Sequence, residues 1–450
     1  MPIRWNVPQQ SDALAQLDVA LGLEAPAARS GAVVLGPDGV GKSTLARLAA
    51  EKFASRNPGT FIRWVTGTPT ERAVPFGAFS HLVEITDIGK PARLLRAARA
   101  SLSRDVAQGD LLLIVDDAHD LDILSGTLVY QLALDGSIRM IVTARGPDFG
   151  AAPEAIAALW TDGLLDRIDV APPGGKTKAS EPKEVDEFIA ELPAPARAVL
   201  NYLAVEEPLS LAALTTLAGD GAVGQAQDLG AAETRVRREG ADAPVVYTAH
   251  PLFAERALAA LGDEGARRLR TDLVNVLSRE MSDHLSDRLR LASLALGSDA
   301  PQPVEEVVEA SEAALRLGDL KLAERLGRAA LDRSGGLAAR LVLGQAMAWQ
   351  GRGREAGVVL GAVDPGELSE TELIAWAIPR AANQFWMLDE PEKATAFLQT
   401  TRNRISDPSQ RSVLEALSAT FAMNAGNLQR AITMATDVLS RPATDMTDMA

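Results

Sequence analysis

Cysteine is absent from all 450 residues. Its absence excludes disulfide frameworks, thiolate nucleophiles and cysteine-ligated zinc. Histidine occurs only four times, at scattered positions that suggest no metal cluster. Aromatic residues make up 4% of the chain, while Ala, Leu and Arg are abundant, a balance that favours helix. No stretch approaches the roughly 18–20 uninterrupted apolar residues of a membrane helix. The start, Met1-Pro2-Ile3-Arg4-Trp5-Asn6, lacks the apolar core of a signal peptide. The expectation is a cytoplasmic chain with no membrane partner.

Positive charge is also in deficit. Lys and Arg number 45 against 60 Asp and Glu, for a formal charge of −15. Phosphate backbones repel such a chain, so DNA is not expected to bind this chain alone, and any nucleic-acid role needs a local basic surface. What the sequence does have is apolar mass: 47% hydrophobic and only 23% charged residues, enough for buried cores. At about 100–200 residues per domain the length fits three units.

Between Gly31 and Val170 short apolar segments alternate with helical patterns. Candidate strands are Gly31–Leu35, Thr60–Val65, Leu111–Asp116, Ile138–Thr143 and Leu164–Val170, after a first helix at Ser11–Leu21. Unbroken apolar runs suit strands covered on both faces, hence a parallel sheet in an α/β nucleotide-binding fold, residues 1–171. A Pro-, Gly- and Lys-rich linker follows at 172–183. Residues 184–282 read as helices with a small β-wing, Ala232–Arg238 and Pro244–Thr248 around a turn at Gly240–Asp242. A winged-helix module is the natural assignment. Arg235, Arg237 and Arg238 cluster on it, either as a DNA-facing patch or as a solvated wing in acidic surroundings. From 283 to 450 the pattern is helical. Gly318–Ala323, Gly351–Ala356, Leu388–Ala394 and Gly426–Ala431 recur at roughly 33–38 residues, the period of tetratricopeptide-like hairpins. A solenoid built this way offers a docking face for a protein or small-molecule inducer; the other reading is an irregular bundle.

Gly36-Pro37-Asp38-Gly39-Val40-Gly41-Lys42-Ser43-Thr44 lies between a strand and the helical pattern Leu45–Phe53, the context that makes GxxxxGK[ST] a phosphate-binding loop. Its glycines let backbone N–H groups converge on phosphate oxygens of ATP or ADP, and the helix N-terminus adds positive potential. Lys42 is expected to reach the β- and γ-phosphates, and Ser43 to ligate Mg²⁺. About 70 residues on, the apolar strand Leu111–Val115 ends in Asp116 and Asp117. Asp116 is the expected Mg²⁺ holder, and Asp117 orients or deprotonates the attacking water. A carboxyl pair at a strand end also serves as a helix cap. His119 and Asp120 follow closely enough to line the same cleft, although a lone His in such a loop is more often structural. Ile138–Arg145 is a further buried strand. In a parallel sheet Thr143 would emerge beside the phosphates to bond water, with Arg145 either reporting on the γ-phosphate or held in an ion pair. Arg72 reads as a loop charge.

Taken together these segments resemble the large ATP-binding regulators of the LuxR family, the maltose-regulator type within the STAND class of P-loop NTPases, related to AAA-type ATPases. The resemblance rests on Gly36–Thr44, Val74-Pro75-Phe76-Gly77-Ala78-Phe79, Leu112–Asp122, Val142–Arg145 and Ala158–Leu165. It continues through Leu192–Leu200, His250-Pro251-Leu252-Phe253 and Asp287–Ala292. It implies a switch in which ATP binding opens a closed, ADP-held state to self-assembly and slow hydrolysis resets it. It also implies that His250 touches the ADP phosphates and holds the closed state. By the residues alone His250 is one histidine at a strand end. Two features depart from the family. Its helical lid with a Gly-Asn-Pro type motif has no counterpart, since Ile168–Pro173 runs almost directly into Val185-Asp186-Glu187-Phe188, and nothing after Gln429 resembles its DNA-reading helix-turn-helix. The leading expectation is an ATP-dependent transcription-regulatory switch. The alternatives are a partner-remodelling ATPase and a scaffold with a vestigial nucleotide site; a small-molecule kinase fits the long C-terminal portion poorly.

Overall fold

The computed structural model describes residues 11–24, 27–83, 91–106, 111–146, 152–171, 182–235, 244–279 and 284–440. The α/β portion runs α1 (Ser11–Ala20), β1 (Gly31–Leu35), α2 (Lys42–Arg56), β2 (Phe61–Thr66), α3 (Pro91–Val106), β3 (Leu111–Asp116), α4 (Ile123–Asp135), β4 (Arg139–Ala144), α5 (Glu154–Thr161) and β5 (Asp166–Asp169). Every residue of β1 and β3 is buried, as their unbroken apolar runs require. The sheet is ordered β2-β3-β4-β1-β5, and every neighbouring pair is parallel. All strands therefore release their carboxyl ends at the same edge, where ligand sites of parallel sheets form. Between β1 and β3 lies β4, so its last residues stand between the two loops that carry the candidate motifs.

Element ends differ from the sequence reading by a few residues, with local causes. The last strand starts at Asp166 rather than Leu164 because the N–H groups of Leu164 and Leu165 both bond back to Leu159 O at 3.0 Å, closing α5. The helix after the glycine-rich loop begins at Lys42 and extends to Arg56.

A second core follows, built from α6 (Pro182–Glu191), α7 (Ala194–Val205), β6 (Leu209–Ser210), α8 (Leu211–Ala218), α9 (Ala222–Asp228), β7 (Ala232–Arg235), β8 (Val245–Thr248), α10 (Pro251–Leu277) and α11 (Leu285–Leu296). Leu200, Leu203, Leu214, Val246, Phe253 and Leu273 fill it. The expected hairpin is present as antiparallel β7 and β8, and β6 adds a third strand along the other side of β8. The turn at Gly240–Asp242, Arg237, Arg238 and linker residues 172–181 lie outside the described residues.

The chain separates into two compact units, Met1–Pro301 and Gln302–Ala450. The sequence reading began the all-helical portion at 283, but α11 belongs to the first unit. Its Leu291, Leu294 and Ala295 are buried in the same core as Phe253, and Ser286 Oγ donates to Pro75 O at 3.1 Å. The Val74–Phe79 loop and the Asp287–Ala292 helix, far apart in sequence, are thereby neighbours.

The second unit is all helical: α12 (Val304–Leu317), α13 (Leu320–Ser334), α14 (Leu337–Trp349), α15 (Gly353–Gly361), α16 (Glu370–Ala382), α17 (Pro391–Arg402), α18 (Pro408–Asn424) and α19 (Leu428–Leu439). Along most of the unit successive helices pack on one another, and α12, α14, α16 and α18 also touch in series. The four recurring segments lie at the starts of α13, α15, α17 and α19, and their alanines, Ala323, Ala356, Ala394 and Ala431, are all buried. Residues 441–450 are outside the description. No helix among the described residues is long and apolar enough to cross a membrane.

One position in the sheet admits glycine alone. Gly31 has φ +143°, and a Cβ placed there would lie 1.8 Å from Met140 O on β4. Gly31→Ala is expected to lower the unfolding free energy of the first unit by at least about 2 kcal/mol, from backbone strain and the clash with the ladder. Urea denaturation followed by circular dichroism checks this, and an unchanged midpoint would contradict the register of β1 on β4.

Candidate functional site

The loop Gly36–Gly41 leaves β1 and turns into α2 without a side-chain cap. Gly39 and Gly41 adopt φ of +76° and +91°, values that side chains with a Cβ resist. The first turn of α2 thus presents its N–H groups to the loop, an arrangement that binds anions. Lys42 is only 5% exposed. Its Nζ donates to the carbonyls of Gly36 at 3.1 Å and Pro37 at 2.9 Å, with Asp38 Oδ1 at 3.8 Å. Val40 is buried in the sheet core and anchors the loop, and Thr44 lines the cavity described below.

Asp116, wholly buried, is the centre of the arrangement. Its Oδ1 accepts hydrogen bonds from Ser43 Oγ at 2.9 Å and Thr143 Oγ1 at 2.6 Å. Thr143 in turn accepts the N–H of Asp117 at 2.9 Å. The strand order explains the triad: β4, between β1 and β3, carries Thr143 to the position that joins the two motif loops. Asp117 has a left-handed φ of 49°, which turns the chain away from the strand. Burial, and next the charge of Asp116, push its carboxyl up to about 7.

Around this centre His119 is buried, and desolvation, with Arg145 adding to it, lowers its pKa to about 4, so the ring is neutral. Its Nδ1 has no hydrogen-bond partner among the described residues. Asp120 faces the half-exposed Arg72 at 3.6 Å, and Asp122 caps α4 by accepting from Leu124 and Ser125. Arg145 forms a two-pronged pair with Asp38, Nε to Oδ1 at 3.1 Å and the terminal nitrogen to Oδ2 at 3.0 Å. The guanidinium is thus tied to the glycine-rich loop itself.

His250 lies on the opposite wall. It caps α10, its Nδ1 accepting from Leu252 N at 3.1 Å. A Cβ on Gly39 would stand 3.5 Å from its Nε2, so the ring abuts the loop. Burial lowers its pKa; the ring is neutral, and with Nδ1 accepting, the proton is on Nε2, facing the loop.

These groups share a cavity of about 690 Å³ between the sheet edge and the second core. Asp38, Gly39, Gly41, Lys42, Ser43, Thr44, Asp117, Arg145 and His250 all line it, whereas Asp116 and Thr143 are buried behind Ser43 and Arg235, Asp116 bonded to both and Thr143 bonded to Asp116. Apolar side chains Leu203, Val205, Pro251 and Leu258 complete one side. No cluster of three or more His, Asp or Glu among the described residues is placed to hold a metal ion by itself. A cation here would therefore draw on Ser43, Asp116 and oxygens brought by a ligand.

Several contributors were invisible in the sequence reading. Thr66, Thr68 and Thr70 line the cavity with Glu207 and Tyr247, and Thr68 Oγ1 donates to Glu207 O at 3.0 Å. Arg235, read as part of an outward patch, has its guanidinium turned into this cavity. None belongs to a local pattern; the end of β2 meets Arg235 of β7 and Thr68 meets Glu207 only through the fold.

Glu207 supplies a pH test. Its buried carboxylate accepts from Thr248 N at 2.6 Å and Oγ1 at 2.9 Å, yet burial raises its pKa from 4.5 to about 7. The folded state therefore holds this proton more tightly than the unfolded chain. Its contribution is fully present below pH 4.5 and is lost as pH rises through about 7. Between pH 5 and pH 8 the urea midpoint of the first unit is expected to fall further in the unmodified chain than in Glu207→Gln. Equal falls would contradict the burial of this carboxyl.

Compared with known protein families the chain matches none, and no curated protein matches it in sequence. Among solved structures, that of Drosophila ORC bound to AT-rich DNA and Cdc6 is similar at 12% identity, covering 56% of this chain and 91% of that one, with a TM-score of 0.23. A second, Drosophila ORC bound to poly(dA/dT) DNA and Cdc6, is similar at 11% identity over 97% of this chain and 70% of that one, with a TM-score of 0.21. Likenesses at those scores carry no statement about function, which rests on the site itself.

Proposed function

We propose that the chain is an ATP-binding regulatory switch of the LuxR and STAND kind, in which a P-loop domain and a winged-helix-like unit close on a nucleotide and tetratricopeptide-like repeats receive the inducing protein or small molecule. The observation that carries this reading is the convergence on one cavity of Lys42, Ser43, Asp116, Thr143 and Asp117 from the sheet edge with His250 from the start of α10. A chance glycine-rich turn has no reason to meet a buried carboxylate held by its own serine, nor a histidine from a different core.

The residues fit a Mg²⁺–nucleotide. The hydroxyl of Ser43 and the carboxylate of Asp116 are hard oxygen donors already 2.9 Å apart, and the ammonium of Lys42 is held at the mouth of the anion-binding turn. When bound, Mg²⁺ neutralises charge on the phosphates and makes the terminal one more open to attack. Lys42 exchanges its loop carbonyls for phosphate oxygens. Asp117, titrating near 7, accepts the proton of the attacking water. Thr143 keeps the backbone of Asp117 in line. His250, neutral with Nε2–H toward the loop, donates to a phosphate and ties α10 to the nucleotide. Hydrolysis on this reading resets a switch, and ATP-bound chains are the ones that self-assemble.

The stacked helices of the second unit support the inducer-binding role, since alternate helices touching in series form an extended surface.

Calorimetry is expected to detect ATP and ADP binding to the unmodified chain and none to Lys42→Ala. Asp117→Asn is expected to bind ATP but to hydrolyse it about 10²–10⁴-fold more slowly in single turnover, the usual contribution of a general base. Unmodified turnover below roughly 1 s⁻¹ distinguishes a switch from a dedicated phosphoryl-transfer enzyme. Fast, partner-stimulated turnover would instead mark a remodelling ATPase, and absence of nucleotide binding would leave a scaffold.

A further inference from the structure

Arg235 comes from β7, outside the parallel sheet, yet its guanidinium lies against the carboxyl ends of β2 and β3. One terminal nitrogen donates to Thr66 Oγ1 at 2.7 Å and faces Asp116 Oδ2 at 3.5 Å. The other pairs with Glu233. Tyr247 and Trp64 present their rings to the cation at 4.8 Å and 5.7 Å, a cage that favours a desolvated positive charge. The side chain is 16% exposed, and its Nε has no hydrogen-bond partner among the described residues.

The division of Asp116 between its partners is the decisive feature. Ser43 and Thr143 take Oδ1, and Arg235 faces Oδ2. A divalent cation held by Ser43 and Asp116 draws on the same buried carboxylate as the guanidinium, and two cations a few ångströms apart in a low-dielectric site repel strongly. β7 is the edge of its sheet, bonded to β8 alone, so displacing it breaks a single ladder. Glu233, two residues away on the same face of the strand, also approaches Arg47 of α2 at 3.9 Å. The strand is thus docked on the nucleotide-binding domain by two ion pairs.

We propose that Arg235 is an internal competitor of the divalent cation: its guanidinium neutralises Asp116 while β7 is docked, and Mg²⁺–nucleotide binding expels it and frees β7 from the sheet edge. The inference rests on the nucleotide reading above and adds the element that responds to the metal. By reciprocity, whatever holds β7 in place weakens Mg²⁺-dependent binding by the same factor.

The test compares ADP affinity by calorimetry in excess Mg²⁺ and in EDTA, for the unmodified chain and Arg235→Gln. The gain from Mg²⁺ is expected to be about tenfold larger in the variant, within the usual range of coupling between sites, with affinity in EDTA nearly unchanged. An equal gain in both proteins overturns the inference, as does weaker Mg²⁺–ADP binding by the variant, which would make Arg235 a phosphate ligand. No ADP binding by the unmodified chain in either buffer overturns the nucleotide reading itself, and this inference with it. A second measurement needs no Arg235 variant. In the unmodified chain Mg²⁺–ADP is expected to change the emission of Trp64, identified by its loss in Trp64→Phe, whereas ADP in EDTA leaves it unchanged. Equal changes with and without Mg²⁺ overturn the proposal.

Discussion

The structure of the site depends on one buried carboxylate. Asp116 is wholly removed from water, and an isolated ion in such a place is costly unless hydrogen bonds and opposite charge surround it. The surrounding fold supplies both. Ser43 must stand at the first turn of α2, Thr143 at the end of the strand between β1 and β3, and a cation near the second oxygen. Each requirement constrains a different element, so the strand order and the docking of β7 answer to the same ion.

The neighbouring Asp117 shows the other outcome. It is less buried and lines the cavity, yet desolvation and the negative charge of Asp116 raise its pKa to about 7. Of two adjacent carboxyls, one has its oxygens taken up by Ser43, Thr143 and Arg235, and the other is ready to exchange a proton near neutrality. Neither role follows from the dipeptide alone; it follows from which oxygen meets Ser43, Thr143 or Arg235.

That difference explains what was legible in the sequence. The glycine-rich loop, the Asp116 strand and the parallel sheet were readable because their signals are local: fixed motif spacing, and unbroken apolar runs where both faces are covered. The recurring turns ahead of α13, α15, α17 and α19 were readable because a buried alanine repeats with them. Arg235 was misread as part of an outward patch, since composition records its charge and not its direction. Thr66 and Glu207 were passed over because each gains its partners only through the fold: Thr66 accepts from Arg235 of β7, and Glu207 meets Thr68 through its carbonyl and Thr248 through its carboxylate. The boundary near 283 moved to 301 for a similar reason. The amphipathic face of α11 declares that it must be buried, but not in which core.

The overall acidity takes on a different meaning at this scale. A charge of −15 repels polyanions from a distance, but screening confines surface charges to a Debye length of about 8 Å at physiological ionic strength. Within that radius the cavity has its own balance. Lys42, Arg47, Arg145, Arg235 and Arg270 line it together with Asp38, Asp117, Asp120, Glu207, Glu233 and Glu255. Several of the cations are already engaged, Arg145 by Asp38 and Arg235 by Glu233 and Asp116. An incoming anion meets a field already partly neutralised, and at Arg145 or Arg235 it would exchange one ion pair for another. On the proposed reading such an exchange suits a switch better than a fast catalyst, because the Arg235–Asp116 and Arg47–Glu233 pairs join elements of both cores, and breaking them disturbs how those are held together.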